Sequence, residues 1–251
     1  MQIASLGSGS KGNATLVSLD STTILVDCGF SLRQFKLRLE RLAMSPESID
    51  AILVTHEHSD HSGGVARLAS TYDIPIWSTR GTARCAFDDD CAYNSLRGGQ
   101  QVTIGSLEVL PVTVPHDAGE PVQFIFRDSK NSKMLGILTD TGHITSHISD
   151  VYHELDGLLL EFNYDEVMLE QGPYPFSLKQ RVGGDLGHLS NSQSMSLLRK
   201  INKERLSCLI AGHISENNNC RNLVAEQLGQ LSGLPEPVLA DQETGFGWIA
   251  I

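Results

Sequence analysis

The chain has 251 residues, enough for one large domain, or at most two small ones, with a core of its own, so neither disulfides nor metal are needed merely to fold it. At 40% hydrophobic and 20% charged residues it has an ordinary globular composition, which excludes a largely disordered chain. Thirty acidic against 19 basic side chains give a formal charge of −11, which argues against a protein that coats nucleic acid or anionic membrane with its whole surface, though not against a local basic patch.

Strand and turn signals alternate at the start. Residues 2–6 read as a strand, 7–13 as a Gly/Ser loop, and 14–19 with 23–27 as a strand pair turning at Asp20 and Ser21. Residues 31–44 have helical spacing, with Leu32, Phe35, Leu39 and Leu42 on one face. A short turn or helix follows at Ser45 and Pro46. Residues 51–55 form an apolar strand of the buried type, followed by a histidine-rich run at 56–61 and a helix at 65–72. Further strands are predicted at 74–78, 102–104, 107–114, 122–127, 133–139, 157–161, 208–211 and 246–251. Helices are predicted at 146–154, 190–201 and 220–231, and a solvated loop at 88–90. No repeat or linker interrupts the chain, which predicts a single domain over 1–251. Strands cluster once in each half with helices between, the pattern of two sheets sandwiched by helices.

No apolar run approaches the roughly 20 residues of a membrane span. The segment MQIASLGSGSKGN lacks the charged start and long apolar run of a signal peptide, so a cytoplasmic location is expected, with no membrane partner. The five cysteines are odd in number and include no CxxC pair, so they suggest neither a disulfide framework nor a zinc finger.

The strongest chemical signal is Thr55-His56-Glu57-His58-Ser59-Asp60-His61, at the end of the strand AILVT. Residues two apart on an extended segment point the same way, so His56 and His58 can offer two imidazoles to one ion. Asp60 and His61 come where the chain bends toward the next helix and can face a second. Imidazole nitrogen and carboxylate oxygen suit zinc, manganese or iron. One segment cannot complete two coordination spheres, so the other ligands are expected at strand ends on the same edge. His116, His188, His213 and Asp140 fit, and Asp140 could bridge two cations. Asp27, ending TILVD, is placed to orient a ligand imidazole from behind. His143, His147 and His153 lie in or beside a predicted helix and read as surface or structural histidines.

HEHSDH at 56–61, His116, Asp140 and His213 resemble the five-motif ligand set of the metallo-β-lactamase superfamily, and VDCG at 26–29 resembles the strand before its first motif. Longer blocks resemble the YycJ/WalJ branch and span nearly the whole chain: SLGSGSKGNATLV at 5–17, LEFNYDEVML at 160–169, GPYPFSLKQRVGGDLGHLSN at 172–191 and GHISENNN at 212–219. The resemblance implies an α/β (α+β) fold, a four-layer αββα sandwich of two mixed sheets flanked by helices, with a dinuclear site at one edge. Carried over by position, His56, His58 and His116 would hold one divalent ion, Asp60, His61 and His213 a second, and Asp140 would bridge. Zn²⁺ or Mn²⁺ is expected, with Fe²⁺ chemically admissible. His188 would stand near the metals and contact the scissile phosphate, and the strand-end placement of His213 favours it over His188 as the ligand.

Two such ions lower the pKa of a shared water and clamp the attacking and leaving oxygens of a displacement. Asp60 would orient that water or take its proton, and His188 would protonate the leaving alkoxide. In the loop at 7–13, Ser8, Ser10, Lys11 and Asn13 are candidate substrate contacts, because glycines let backbone N–H groups approach an anion. A plain hairpin turn explains the same residues. Asn163 is a further candidate contact, its alternative being a turn held by side-chain hydrogen bonds.

The fold alone does not choose a substrate. A secreted β-lactamase is disfavoured by the missing signal peptide. A thioester hydrolase needs little acid assistance, which leaves His188 superfluous. The length leaves no room for the inserted domain of ribonuclease J. A compact phosphodiesterase remains: a nuclease, expected to be an exonuclease on DNA, or a small-molecule cyclic phosphodiesterase of the PhnP kind. A non-catalytic metal-binding module would show a lost ligand, and none is lost. Residues 172–205 carry six basic and two acidic side chains, +4, against −15 for the rest, and residues 1–41 carry +2, so a basic rim near the metals is expected.

Overall fold

A computed structural model describes residues 1–251. In the first half, β1 (Gln2–Gly7), β2 (Ala14–Leu19) and β3 (Thr22–Val26) form a meander that leads into α1 (Leu32–Glu40). Then come β4 (Ala51–Val54), α2 (Ser59–Ser62), α3 (Val65–Tyr72), β5 (Ile76–Thr79), α4 (Arg80–Ala86) and β6 (Asn94–Leu96). The second half opens with β7 (Val102–Ile104), β8 (Leu107–Thr113), β9 (Val122–Asp128) and β10 (Lys133–Leu138). It continues through α5 (Ser146–Val151), β11 (Gly157–Glu161), α6 (Glu166–Gln171), α7 (Phe176–Val182) and α8 (Asn191–Leu198). It ends with β12 (Cys208–Gly212), α9 (Arg221–Gly229), β13 (Val238–Leu239) and β14 (Phe246–Ala250).

Two seven-stranded sheets result, ordered β14-β1-β2-β3-β4-β5-β6 and β13-β12-β11-β10-β9-β8-β7. Only β14 crosses from the second half into the first sheet. Side chains alternate faces along each strand, and here both faces are apolar because both are covered. Ile24, Val26, Ala51 and Leu53 face Phe124, Phe126, Ile137 and Leu159 in a core between the sheets. Leu25, Ile52 and Val54 point the other way and pack with Phe35, Leu39 and Leu68 of α1 and α3. Leu158, Leu160 and Leu209 likewise leave the second sheet to meet Ile148, Met195 and Val224 of α5, α8 and α9. Three apolar layers between four structural layers make the αββα sandwich expected from the resemblance. No helix is long and apolar enough to cross a membrane.

The predicted elements without a counterpart error are those with strong periodicity, such as α3. The predicted helix at 31–44 is shorter: α1 is capped by Ser31, whose side chain accepts from Gln34 N, and ends at Glu40. α2, α4, α6, α7, β6 and β13 were not predicted. α7 has no buried side chain at all, so its sequence carries no apolar stripe to read.

β3, β4 and β5 are parallel, as are β10, β11 and β12. The antiparallel pairings β1/β2, β2/β3, β8/β9 and β9/β10 turn β1 and β8 the same way as these sets. The segments after β1, β3, β4, β8, β10, β11 and β12 therefore leave at C-terminal strand ends, where open α/β sheets build their sites.

Candidate metal centre

The segments following those strands bring His56, His58, Asp60, His61, His116, Asp140 and His213 together. Asp27, Asp140 and His213 each leave their strand in the left-handed region, at φ of 61°, 50° and 53°. That turn costs energy for a non-glycine residue and is kept where the surroundings hold it. Close approach matters too. A Cβ on Gly29 would lie 1.9 Å from the backbone oxygen of Asp60, so only glycine lets the VDCG turn seat the Asp60 backbone.

Four rings are oriented from behind by the same device. His61 Nδ1 donates to Asp27 Oδ2 at 2.8 Å, His116 Nδ1 to the Gly187 carbonyl at 3.0 Å and His213 Nδ1 to Glu161 Oε1 at 2.8 Å. The Thr55 hydroxyl donates to Asp27 Oδ2 at 2.7 Å and so accepts from His56 Nδ1 at 2.9 Å. In the neutral ring each bond fixes the tautomer and puts the lone pair on Nε2, on the other side. His58 instead turns Nδ1 inward, 3.1 Å from His56 Nε2 and 3.2 Å from His116 Nε2.

These nitrogens have at most one proton to share among them, and a cation reconciles their lone pairs where hydrogen bonds cannot. His213 Nε2 and Asp140 Oδ2 are also buried without a hydrogen-bond partner. Asp140 Oδ2 lies 3.3 Å from His61 Nε2, and Asp60 Oδ2 lies 3.5 Å and 4.0 Å from the Nε2 atoms of His61 and His213. The donor atoms fall into four overlapping groups: His56, His58 and His116; Asp60, His61 and His213; His56, His61 and Asp140 between them; and Asp140, Glu161, His188 and His213 beside them. Nitrogen and carboxylate donors of this kind fit a divalent transition metal.

Electrostatics divide the rings. Burial pushes His56 well down and His116 down, favouring neutral imidazole. Burial acts the same way on His61 and His213, but Asp140 beside both outweighs it; His61 is raised well above its ordinary value and His213 to about 9. Burial would push Asp140 up, yet His213 and His61 hold it well below the usual carboxylate range.

Glu161 was not among the residues singled out in the sequence. It ends β11 fully buried, and its Oε1 accepts from both His188 Nδ1 at 2.9 Å and His213 Nδ1 at 2.8 Å. Its Oε2 accepts from the backbone N–H groups of Leu189 and Thr141. Burial opposes its charge, but His188 and His213 lower it to about 2. A glutamate ending an apolar strand was the available signal, since such a group is almost never buried unless paired.

The other candidates separate. Ser8 Oγ accepts from His213 N at 2.9 Å, and Asn13 Oδ1 accepts from Gly9 N while its Nδ2 lies 3.0 Å from His61 Nε2. Ser10 and His188 line the open cleft above the cluster. Lys11 points away, its ammonium 2.7 Å from Glu216 on the surface. Asn163 is buried and donates to the His213 carbonyl, holding that turn from below. Asp117 and Arg181 line the cleft without having been singled out as site residues, paired at 2.6 Å. His143 and His153 bind only Asp185 O and Glu154.

The family model described as "Beta-lactamase superfamily domain" matches residues 22–210. The exodeoxyribonuclease WalJ of Streptococcus pneumoniae is 34% identical over 87% of this chain and 83% of its own. The exodeoxyribonuclease YycJ of Bacillus anthracis is 30% identical over 96% of this chain and 89% of its own. The Zn²⁺-bound structure of PqqB from Methylobacterium extorquens superposes over 100% of both chains with a TM-score of 0.77 at 15% identity, a likeness of fold. With the ligand-type cluster at the strand ends and a family match over most of its length, the chain belongs to the metallo-β-lactamase superfamily of metal-dependent hydrolases, alongside WalJ and YycJ.

Proposed function

We propose that the protein is a dinuclear exodeoxyribonuclease acting in the cytoplasm. The observation that carries this is the pairing of the convergent donor cluster with His188, held on Glu161 at the edge of the same cleft. The names of the two relatives, matched along most of their length, support DNA as the substrate. In this reading His56, His58 and His116 hold one Zn²⁺ or Mn²⁺, Asp60, His61 and His213 hold the other, and Asp140 lies between. Divalent ions bound there supply Lewis acidity toward a phosphoryl oxygen and a water nucleophile at neutral pH.

The side chains do the rest. Asp60 is partly exposed and oriented toward the cleft, where it can take the proton of an attacking water. His188 spends Nδ1 on Glu161, which leaves Nε2 as the atom that delivers a proton to the leaving oxygen. An alkoxide leaves poorly, so such an acid is worth typically about 10²–10⁴-fold. His188→Ala should therefore lower kcat by about that range while retaining metal. Loss of metal from this variant would make His188 a ligand.

The direct test incubates metal-analysed protein with 5′- and 3′-labelled single- and double-stranded DNA and RNA, and with a cyclic nucleotide diester. DNA shortened from one end is the expected result. Cleavage of the cyclic diester alone would overturn the nuclease reading.

A further inference from the structure

α1 and α3 both start at the metal-bearing edge. The turn after β3 leads from Asp27 into α1, and Gly63 and Gly64 lead from His61 into α3. Backbone bonds tie the two turns together: Cys28 N donates to His61 O and Gly64 N to Cys28 O, each at 2.7 Å. Between the helices runs an open groove of about 600 Å³. Three cations line it, Arg33 and Lys36 on α1 and Arg67 on α3. Arg33, Lys36, Leu37 and Glu40 fall on one stripe of α1, being three, four and seven residues apart. Glu40 is the one acid of the groove and ends that stripe, so the positive end lies toward the site.

All three cations are exposed. None forms an ion pair or donates a side-chain hydrogen bond within the protein, whereas Arg38, Lys130 and Arg205 each find an acid. Arg33 and Arg67 also stand in the first turns of their helices, and neither turn holds an acid. That is the positive end of the helix dipole, where an acid stabilises and a cation costs stability. Folding alone gives no reason to place cations at both starts.

An exposed line joins the groove to the cleft over the metal centre. Ser59 lines the cleft. Gly63, whose N–H donates to Ser59 O, and Arg67 follow at intervals of four residues, and all three are exposed. At about 1.5 Å per residue Arg67 lies about 12 Å beyond Ser59 on this path, or about four nucleotides of stacked strand at about 3.4 Å each.

We propose that the groove between α1 and α3 binds the phosphate backbone of the DNA beyond the bond being cut, with Arg33, Lys36 and Arg67 as its contacts. The inference rests on the nuclease reading and specifies where the rest of the substrate lies. Spare cations on an acidic chain complement a polyanion, and contacts to phosphate alone carry no base preference. The groove therefore holds any sequence, and it adds to affinity only when the strand is long enough to reach it.

Metal-loaded wild type is compared with the triple variant Arg33→Gln/Lys36→Gln/Arg67→Gln. Arg127→Gln/Lys130→Gln/Lys203→Gln makes the same charge change at the opposite strand ends. On DNA of about twelve nucleotides the groove variant should raise KM on the order of tenfold more than it raises KM for bis(p-nitrophenyl) phosphate. The log–log slope of strand KM against salt should flatten by about 2, from three phosphate contacts at about 0.7 each. The difference should disappear on a dinucleotide, which is too short to reach Arg67. Arg33→Lys/Lys36→Arg/Arg67→Lys, which keeps the charges, should restore strand KM. Anisotropy of a fluorescent, phosphorothioate-protected oligothymidylate on the loaded proteins should give the same ranking without turnover.

Unchanged strand KM in the groove variant, an equal rise on the dinucleotide, or an equal rise from the control variant would each overturn the proposal. Wild-type binding to phosphatidylglycerol vesicles that the groove variant loses, with strand KM unchanged, would assign the groove to an anionic membrane through its cations and Leu37, which is 47% exposed. Wild-type hydrolysis of the small diester with neither binding nor cleavage of any nucleic acid would instead mark failure of the nuclease reading itself.

Discussion

Glu161 takes four hydrogen bonds on two oxygens: two imidazoles on one, two backbone amides on the other. Glu161→Gln removes a charge and replaces one acceptor oxygen with a donor. Partners of this kind behind a metal ligand are worth about 10–100-fold in affinity or activity, so the variant should lose metal affinity and kcat by that order. Metal titration and turnover on bis(p-nitrophenyl) phosphate check it, and an unchanged metal affinity would deny Glu161 its hold on His213. The same residues set a pH dependence. Folding raises the proton affinity of His213 from its ordinary 6.5 to about 9. The stability this adds to metal-free protein is complete below pH 6.5 and is lost as pH rises through about 9, because the unfolded chain releases the proton first. Thermal unfolding in EDTA should show that fall, whereas metal, which needs the neutral ring, should bind with proton release and bind tighter as pH rises. The HEHSDH cluster was legible because its chemistry resides in residue types at a spacing. Glu161 and Asp117 were not, because a lone acid at a strand end or in a loop acquires meaning only from what the fold sets opposite it.

The loop after β1 shows how elements far apart in sequence share a task. Gln242, in the turn between β13 and β14, accepts from Lys11 N at 2.8 Å and donates to Gly12 O at 3.0 Å. Asn13 closes the other side through Gly9 N and O and reaches His61. Gly9 sits at φ 149°, and a Cβ there would stand 2.6 Å from Gln242 Oε1. Gly9→Ala should therefore displace Gln242 and loosen the loop, lowering kcat/KM while the three apolar layers stay intact. A drop in Tm of about 2–4 °C for each kcal/mol lost, with unchanged far-UV circular dichroism, is the expected reading. Wild-type kcat/KM would show that the loop's placement is irrelevant to turnover. Strands such as β3, β4 and β11 were legible from their apolar runs and turn residues. α6 and α7 were not, since a helix that buries little or nothing leaves no period in the sequence. The helix least visible in the sequence thus borders the open side of the site.

At the scale of the molecule, the acidic total and the proposed substrate are compatible because charge is unevenly spread. Residues 172–205 carry +4 and contain Arg181 at the cleft, and two divalent ions would bring the formal total from −11 to −7. The donor cluster is also built at the end of the strands, outside the three apolar layers that hold them together. Removing metal should leave those layers folded, unlike the small domains whose binding energy is their folding energy. Turnover should vanish in EDTA while near-UV circular dichroism and a cooperative thermal transition persist. Metal at a thousandfold excess over its Kd should add about 4 kcal/mol, and Tm should rise by roughly 8–16 °C for a chain of this size. Collapse of the near-UV signal on chelation would instead make the metals part of the core, and would mean that the strand ends cannot hold Asp27, Asp140 and His213 in their left-handed turns without them.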